Sequence, residues 1–271
     1  FTNDINKIEN PVARECLKYF KIDYPIEITT FADIPANTGL GSSSAFAVGL
    51  VNALFALEGK LASKYQIASI AAKIEIDLLG RKIGKQDHFA CCYGNINNLV
   101  FKSNESVEIN PIVASTKIIK KLEDNIILFY TNQKRNSESV LKNQFKVKKN
   151  QFIELNRMKD LVKISQNMIL NKNFNIKNFG KLLDKNWKIK KEINKLSSNK
   201  SIDKYYKTAI TNGAYGGKLL GAGNGGFLLF IAKKSIHQTL AKKLKKLKKM
   251  CIKFDYTGTR ITYIDKTGEA K

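Results

Sequence analysis

The chain of 271 residues is 43% hydrophobic, enough for one large or two smaller domains, and no apolar run reaches the roughly 18–20 residues of a membrane span. Its net charge of +24 suggests nucleic-acid binding, but only five of the 47 basic residues are arginine, which planar phosphate and base recognition favours, so we expect no nucleic-acid partner. The four cysteines lack CxxC spacing and only two histidines are present, so we expect a reduced, cytoplasmic protein without a histidine-rich metal site or membrane contacts.

Up to about residue 115 the pattern of hydrophobic and polar residues predicts one α+β domain. Alternation in Pro25–Phe31 predicts a strand, and Ser63 is placed to cap a helix that runs to about Leu79. A glycine inside a helix is usually tolerated where packing is close, so we expect a close neighbour at Gly49. The remaining predicted elements are helices at about 43–57 and 86–92 and strands at about 96–101 and 107–112.

From Ile126 the pattern changes and predicts a second domain. Its predicted elements, in chain order, are a strand at 126–130, helical periodicity at 137–194, a helix at 203–212, strands at 217–220 and 227–231, a helix at 235–250, and strands at 252–256 and 261–264. The order strand, helices, strand, strand, helix, strand is typical of a ferredoxin-like split βαβ unit. We therefore expect domains at residues 1–115 and 116–271.

Two glycine-rich loops stand far apart in the chain. The first, Pro35–Ser44 (PANTGLGSSS), runs into an apolar stretch at 45–57, and the second, Leu219–Gly226 (LLGAGNGG), runs into another at 227–231. A glycine/serine loop that opens a helix leaves unpaired N–H groups at the positive end of the helix dipole, and these bind phosphate without a charged side chain. Glycines also mark ordinary turns and serines ordinary helix caps, so a single loop leaves both interpretations open.

Groups suited to phosphoryl transfer lie between the two loops. The hydroxyls of Ser42–Ser44 and the carboxylate of Glu75 are hard oxygen ligands, which Mg²⁺ prefers. Asp87, just inside a helix start, can position or deprotonate an attacking hydroxyl. Lys85 can hold that acid ionised and neutralise developing phosphoryl charge. An acid at this place is equally explained as a charge that stabilises the N-terminus of its helix.

Other phosphate-binding motifs are missing from the sequence. It contains no GxxxxGK[ST] P-loop and neither the HRD nor the DFG set of the protein kinases. The segment Gly221–Gly225 superficially suggests a dinucleotide-binding fingerprint, but it joins two predicted strands instead of opening a helix. The sequence therefore argues against these three classes of nucleotide site.

At this point the residues resemble the GHMP family of sugar and small-molecule kinases, over essentially the whole chain. The most specific stretches are Asp33–Pro35 continuing through Gly39–Ser44, then Gly84–Asp87, then Gly213–Gly223. The resemblance implies a two-domain α+β fold, with an N-terminal α+β domain, a ferredoxin-like C-terminal domain, and ATP and substrate between them.

The same resemblance implies roles for individual residues. Ser43 and Glu75 would bind Mg²⁺, and Asp87 would face the acceptor hydroxyl, with Lys85 close by. The first loop would wrap the ATP phosphates through Pro35, Gly39, Leu40, Gly41, Ser42, Ser43 and Ser44. The second loop would close the site through Gly221, Ala222, Gly223 and Gly225.

Within this family the chain looks like the kinases that phosphorylate the anomeric C1 hydroxyl of a heptose 7-phosphate, for the nucleotide sugars of surface polysaccharides. Such a substrate needs a basic contact for its 7-phosphate, and Arg135 and Lys218 are the candidates, although either can equally be a surface ion pair. Two alternatives stay open: a fucose- or galactose-type sugar 1-kinase, and a non-catalytic remnant that binds nucleotide or a polyanion.

The chain also departs from the family pattern. His88 stands where relatives often carry glutamine, and Asn224 interrupts a run of glycines, although asparagine tolerates left-handed backbone angles better than most residues. Family members begin with a strand and a glycine-rich sugar-contacting motif that have no counterpart here. We therefore expect either a fragment of a longer product or a compromised activity. We expect a monomer or homodimer whose partners are ATP and a small sugar phosphate.

Overall fold

The structure, a computed structural model, describes residues 2–34, 38–133 and 149–265. These residues form two compact units. The first takes in the residues described within 2–33, 41–95 and 255–265, and the second those within 34–40 and 96–254. Along the chain, one division therefore falls between Leu40 and Gly41, inside the first glycine-rich loop. The domain boundary near residue 115 stays a prediction.

Helices with clear start signals build the first unit. The side chain of Asn10 caps the first of them by accepting hydrogen bonds from the N–H groups of Val12 and Ala13, at 3.0 and 3.1 Å. Ser63 begins the third in a capping box with Gln66, so the predicted cap is confirmed. The helices are α1 (Pro11–Phe20), α2 (Ser42–Leu57), α3 (Lys64–Lys73) and α4 (Gln86–Tyr93).

Helix α2 lies at the centre of this unit, in contact with α1, α3 and α4. Its buried apolar side chains are Ala47, Val48, Leu50, Val51 and Leu54. Each large aliphatic side chain buried in this way stabilises the fold by about 1.5–3 kcal/mol. The core therefore fixes the helix whose N-terminus follows the first glycine-rich loop.

The chain widens from an α-helix to a π-helical turn directly after α3. This turn covers Ile74–Leu78, and the N–H of Leu79 bonds to the carbonyl of Ile74, five residues back, at 3.0 Å. Ile74 and Glu75 are both fully buried. An apolar side chain and a carboxylate thus occupy neighbouring buried positions within the first unit.

The second unit contains a two-stranded hairpin and a four-stranded antiparallel sheet. The hairpin pairs β1 (Asn97–Phe101) with β2 (Val107–Pro111), with Leu99 opposite Ile109. The strands of the sheet are β3 (Ile126–Tyr130), β4 (Gly216–Leu219), β5 (Phe227–Ile231) and β6 (Lys248–Met250). Their spatial order is β4-β5-β3-β6, with every neighbouring pair antiparallel. This is the order expected of a ferredoxin-like unit.

Both faces of the four-stranded sheet are covered. Alternate residues of β3 enter two different cores, Ile127 and Phe129 one of them, Ile126 and Leu128 the other. The first core is completed by Trp187 and other buried residues of the helices. The helices of this unit are α5 (Thr116–Asn125), α6 (Lys149–Leu170), α7 (Ile176–Ile193), α8 (Lys200–Thr211) and α9 (His237–Lys243).

Several predicted elements are wrong. Pro25–Phe31 forms no strand, because none of the described strands pairs with it, and most of its residues are exposed. The helix expected at 235–250 is split: α9 ends at Lys243, and Lys248–Met250 instead pairs with β3. The strands expected at 252–256 and 261–264 are likewise absent from the described residues.

Close packing does not explain the glycine inside α2. A Cβ atom built on Gly49 would meet nothing within 4 Å among the described residues, and the residue is exposed. The expectation of a close neighbour is therefore wrong.

In the described parts of the chain, no helix is long and apolar enough to span a membrane.

Candidate functional site

The first glycine-rich loop ends at the N-terminus of α2. Gly41 is the N-cap residue of this helix and has a left-handed backbone, with a φ of 72°, which a residue with a side chain adopts only with strain. A glycine cap has no side-chain oxygen to offer the first N–H groups of α2, which lie at the positive end of the helix dipole. This backbone arrangement suits phosphate binding. That Gly39–Ser44 hold ATP stays a prediction.

The serines at the start of α2 differ in their surroundings. Ser44 is buried, and Ser42 is half-buried. Ser43 turns its hydroxyl to the π-helical turn and donates a hydrogen bond to Oε1 of Glu75 at 2.5 Å. The two residues expected to act together as metal ligands are therefore in direct contact within the first unit.

Two further side chains bind the Glu75 carboxylate. Nη1 of Arg81 donates to Oε1 of Glu75, and it lies 2.7 Å from the hydroxyl oxygen of Ser43. On the other side, Nε2 of His88 lies 2.8 Å from Oε2 of Glu75. Nδ1 of His88 has no hydrogen-bond partner among the described residues. Both oxygens of this buried carboxylate thus have partners from the segment that follows the π turn.

These contacts decide the ionisation of Glu75. Burial alone would raise the pKa of its carboxyl group, because a buried charge loses its hydration. The hydrogen bonds of His88 and Ser43 and the charges of His88 and Arg81 outweigh that effect and lower the pKa. The group is therefore a carboxylate at neutral pH.

Ser43 and Glu75 fit the chemistry of a magnesium site. A hydroxyl and a carboxylate are hard oxygen ligands, and the guanidinium of Arg81 on the same two atoms shows that this position attracts positive charge. The described residues include no group of three or more His, Cys, Asp or Glu side chains that could hold a metal ion. The remaining ligands would therefore be water or phosphate oxygens, as is usual for Mg²⁺. Magnesium binding stays a prediction.

Asp87 lies beside the start of α2. It occupies the first turn of α4, and a Cβ atom built on Gly41 would lie 3.3 Å from the Cβ of Asp87 and 3.5 Å from its Oδ2. Lys85 is the half-buried N-cap residue of α4. The first unit therefore brings together Gly41, Ser43, Glu75 and Asp87.

The second glycine-rich loop connects β4 to β5. Left-handed or positive φ angles occur at Gly221, Gly223, Asn224, Gly225 and Gly226. Asn224 adopts a φ of 59°, so its tolerance of a left-handed backbone is confirmed. The loop packs closely at two of its glycines, since a Cβ atom would lie 2.6 Å from the Cα of Ser197 if built on Gly223 and 2.6 Å from the carbonyl oxygen of Gln133 if built on Gly225.

Hydrogen bonds hold this loop to the rest of the second unit. The N–H of Asn224 donates to the carbonyl of Ser197 at 2.8 Å, and the N–H of Gly226 donates to the carbonyl of Gln133 at 3.2 Å. The carbonyl of Gly226 accepts from both the N–H and the hydroxyl of Thr131, at 2.9 and 2.8 Å. The ammonium group of Lys190 donates a hydrogen bond to the carbonyl of Gly221. The loop is thus braced at both of its ends.

Part of the first loop lies directly against the second. A Cβ atom on Gly226 would overlap the carbonyl oxygen of Thr38, a residue that is almost completely buried. Gly39 has a φ of 83°, and half-buried Leu40 packs on a core of the second unit. Residues 38–40 are therefore neighbours of the second loop. That this pair of segments meets Ser43, Glu75 and Asp87 at one ATP stays a prediction.

Of Lys218 and Arg135, the two candidate contacts for a substrate phosphate, the structure describes only Lys218. The ammonium group of Lys218, on β4, donates a hydrogen bond to Oδ1 of Asn186 at 3.0 Å, and burial lowers the pKa of that ammonium group. The contacts of Lys218 among the described residues include no carboxylate, so Lys218 does not form a surface ion pair there. Arg135 and Pro35 lie outside the described residues.

Sequence reasoning did not find Arg81 or the pairing of His88 with Glu75. Neither residue is at a helical spacing from Glu75, because the chain leaves the helix in between. One signal was available: a buried carboxylate needs charged or hydrogen-bonding partners, and Arg81 is the nearest arginine along the chain.

Comparison with known proteins identifies the family of this chain. The model of the GHMP kinases N terminal domain matches residues 6–95, and that of the GHMP kinases C terminal domain matches residues 168–249. The D-glycero-alpha-D-manno-heptose 7-phosphate kinase of Campylobacter jejuni is 33% identical over 232 residues, which cover 84% of this chain and 67% of the relative. The galactokinase of Pyrococcus furiosus is 25% identical over 77% of this chain and 64% of the relative.

A solved structure shares the fold. The D-glycero-D-manno-heptose 1-phosphate kinase from Bacteriodes thetaiotaomicron superposes with a TM-score of 0.67, over 93% of this chain and 74% of that one. At 24% identity, this likeness concerns the fold alone. It agrees with the two-domain α+β architecture expected from the sequence, which is thereby confirmed.

Fold and relatives together define a phosphotransferase that uses the alcohol group of a sugar as acceptor. The chain spans about two thirds of the length of its heptose kinase relative. It belongs to the GHMP kinase family. The resemblance seen in the sequence is confirmed.

Proposed function

We propose that the full-length protein transfers the terminal phosphoryl group of ATP to the anomeric hydroxyl of D-glycero-D-manno-heptose 7-phosphate. The product would be the 1,7-bisphosphate, used in making nucleotide sugars for surface polysaccharides, and the reaction would occur in the cytoplasm. The choice of substrate is supported by the heptose 7-phosphate kinase that is 33% identical over most of the chain. The chemistry is supported above all by the contact between Asp87 and Gly41, at the start of a helix suited to phosphate.

Asp87 is the proposed acceptor of the proton. The hydroxyl oxygen of the sugar attacks the γ-phosphorus, the bond from that phosphorus to the β,γ-bridging oxygen breaks, and ADP leaves. The hydroxyl proton passes to the carboxylate of Asp87, which lies next to the N-terminus that would hold the phosphates. Lys85, at the start of the same helix, would balance charge that develops on the transferred group.

The remaining residues would bind and orient the nucleotide and the sugar. The N–H groups that follow Gly41 would hold the phosphates, and the second glycine-rich loop would close over them. Ser43 and Glu75 would hold Mg²⁺, which neutralises charge on the β- and γ-phosphates when bound. Arg135 and Lys218 remain the candidates for the 7-phosphate, and the half-buried Lys218 has a neutral partner in Asn186, so that contact leaves its charge uncompensated.

A substrate panel tests this proposal. ADP release by the full-length protein would be measured with heptose 7-phosphate, the same heptose without its phosphate, galactose and fucose. The proposal requires turnover with the 7-phosphate and at least a hundredfold lower kcat/KM without it, and ³¹P NMR should show a new anomeric phosphate.

The panel also tests two alternatives. A galactose- or fucose-type sugar 1-kinase is favoured by the similarity to galactokinase, and preferred turnover of an unphosphorylated sugar would replace our proposal with it. Nucleotide or polyanion binding without ADP release from any sugar would indicate a non-catalytic protein. Steep loss of RNA binding with added salt would be the signature of the polyanion case.

A further inference from the structure

A positive charge already occupies the oxygens assigned to the metal. Nη1 of Arg81 contacts both the hydroxyl oxygen of Ser43, at 2.7 Å, and Oε1 of Glu75. Those two oxygens lie 2.5 Å apart. One guanidinium nitrogen therefore lies where both proposed ligands converge.

The oxygens of Glu75 are also fully engaged. Oε1 accepts hydrogen bonds from Ser43 and Arg81, and Oε2 lies 2.8 Å from Nε2 of His88. A divalent cation at Oε1 would stand within a few ångströms of the Arg81 charge, and like charges at that separation repel strongly away from bulk water. Arg81 and a divalent cation therefore cannot both occupy these atoms.

The Glu75 carboxylate needs partners even when no metal is bound. Its side chain is completely buried, and an ionised carboxylate without a partner is costly in such surroundings. Arg81 is one of these partners, beside Ser43 and His88, and its side chain stays 26% exposed. It also follows Gly80, which has a φ of 63°, in a stretch outside any regular helix or strand. The guanidinium can therefore move without unfolding a secondary-structure element.

We propose that Arg81 is a resident cation that competes with Mg²⁺ for Ser43 and Glu75 and is displaced when the metal binds. The inference rests on the proposed assignment of Ser43 and Glu75 as metal ligands. Arg81 acts as a positioning residue: its guanidinium holds the Glu75 carboxylate and the Ser43 hydroxyl in place in the metal-free protein, and it weakens metal binding when no nucleotide phosphate shares the ion.

Manganese binding to the nucleotide-free full-length protein tests the competition. Free Mn²⁺ would be titrated by electron paramagnetic resonance in the wild type and in Arg81→Gln, which keeps a hydrogen-bond donor and removes the charge. We expect Arg81→Gln to bind Mn²⁺ at least about tenfold more tightly, because the repulsion is gone. Lys82→Gln removes the same charge from an exposed neighbour and should leave the affinity at the wild-type value.

Thermal unfolding provides a second readout that does not depend on catalysis. Without metal, Arg81→Gln should unfold at a lower temperature than the wild type, because Glu75 loses its cation. Added Mg²⁺ should raise the unfolding temperature of Arg81→Gln more than that of the wild type. Arg81→Lys keeps the charge and should behave like the wild type in both measurements.

The outcomes separate this inference from the proposed function. Weaker Mn²⁺ binding in Glu75→Gln together with unchanged or weaker binding in Arg81→Gln would overturn the competition and keep the metal site. Wild-type Mn²⁺ affinity in Glu75→Gln would overturn the metal site itself. Mn²⁺ binding to neither the wild type nor Arg81→Gln would overturn both, since removal of the competing charge must expose the site.

Discussion

Gly41 packs directly on Asp87: a side-chain Cβ at position 41 would lie 3.3 Å from the Cβ and 3.4 Å from the Cγ of the aspartate. The N-cap residue of α2 and the proposed proton acceptor therefore lie directly beside each other. A side chain at position 41 therefore requires Asp87 to shift by a few tenths of an ångström.

Gly41→Ala should therefore impair catalysis beyond its effect on stability. The left-handed backbone at φ 72° costs about 1–2 kcal/mol for alanine, and the new methyl group crowds the side chain of Asp87, whose Cβ would lie 3.3 Å away. We expect kcat to fall by about tenfold or more, because catalysis is sensitive to small misplacements. Gly59→Ala is the matched control, since φ is 63° and nothing lies within 4 Å of its new methyl group in the described residues. Equal kcat values in the two variants would exclude a role of Gly41 in catalysis.

Asp87→Asn should remove the proton acceptor and keep the shape of the side chain. We expect kcat of the full-length enzyme to fall by about a hundredfold or more, with ATP affinity preserved. Steady-state kinetics and calorimetric titration of a non-hydrolysable ATP analogue check the two parts. Asp23→Asn, at an exposed position, controls for the loss of a charge. Wild-type turnover in Asp87→Asn would exclude Asp87 from the mechanism.

Gly226→Ala should separate the two glycine-rich segments. Its methyl group would overlap the carbonyl oxygen of Thr38, so residues 38–40 have to shift. If these segments hold nucleotide, ADP affinity should fall by about tenfold or more, measurable by calorimetry. Gly213→Ala has a similar φ, 99° against 95°, but its methyl group meets only the tip of the Ile236 side chain, 3.1 Å away. It should lose stability and keep its ADP affinity; a shared loss of affinity would refute the role of the contact.

Tyr206 should make stability depend on pH in the alkaline range. Its hydroxyl lies 2.7 Å from Oδ1 of Asp184 and 3.0 Å from the carbonyl oxygen of Gly217. Burial, and then the contact with Asp184, raise the pKa of Tyr206 above its ordinary value of 10.0. The folded state therefore keeps the proton that the unfolded state loses above about pH 10, so the stabilisation is complete below that pH and declines above it.

The measurement compares the wild type with Tyr206→Phe in urea unfolding between pH 8 and 11. At pH 8 the variant should be about 1.5–3 kcal/mol less stable, the range for hydrogen bonds to charged groups. The difference should shrink as the pH rises beyond about 10. Tyr205→Phe, on the same helix, serves as control. A difference that stays constant with pH would contradict the explanation.

Elements with their own local signals are predictable from this sequence. The capping box at Ser63 and the apolar run that forms β3 are examples. The alternation in Pro25–Phe31 is different, because a strand also needs a neighbour, and none of the described strands provides one. The leucine–lysine periodicity after His237 likewise ends early, since pairing of Lys248–Met250 with β3 overrides the local preference.

The site is predictable only in part for a similar reason. The residue types of Glu75 and Asp87 between two glycine-rich loops indicate phosphoryl transfer, and the family resemblance suggests their roles. The contacts of Arg81 and His88 with Glu75 depend on a π turn and on the irregular chain that follows it. Short-range periodicity carries no information about either.

The π turn at Ile74–Leu78 affects how this chain is aligned with its relatives. A π turn is what an α-helix becomes when one residue is inserted into it. A homologue with a regular helix here would be one residue shorter, and without a one-residue gap its side chains beyond the turn would be paired with ones rotated by about 100° around the helix axis. A one-residue gap placed within Ile74–Leu78 restores the match for the residues that follow the turn.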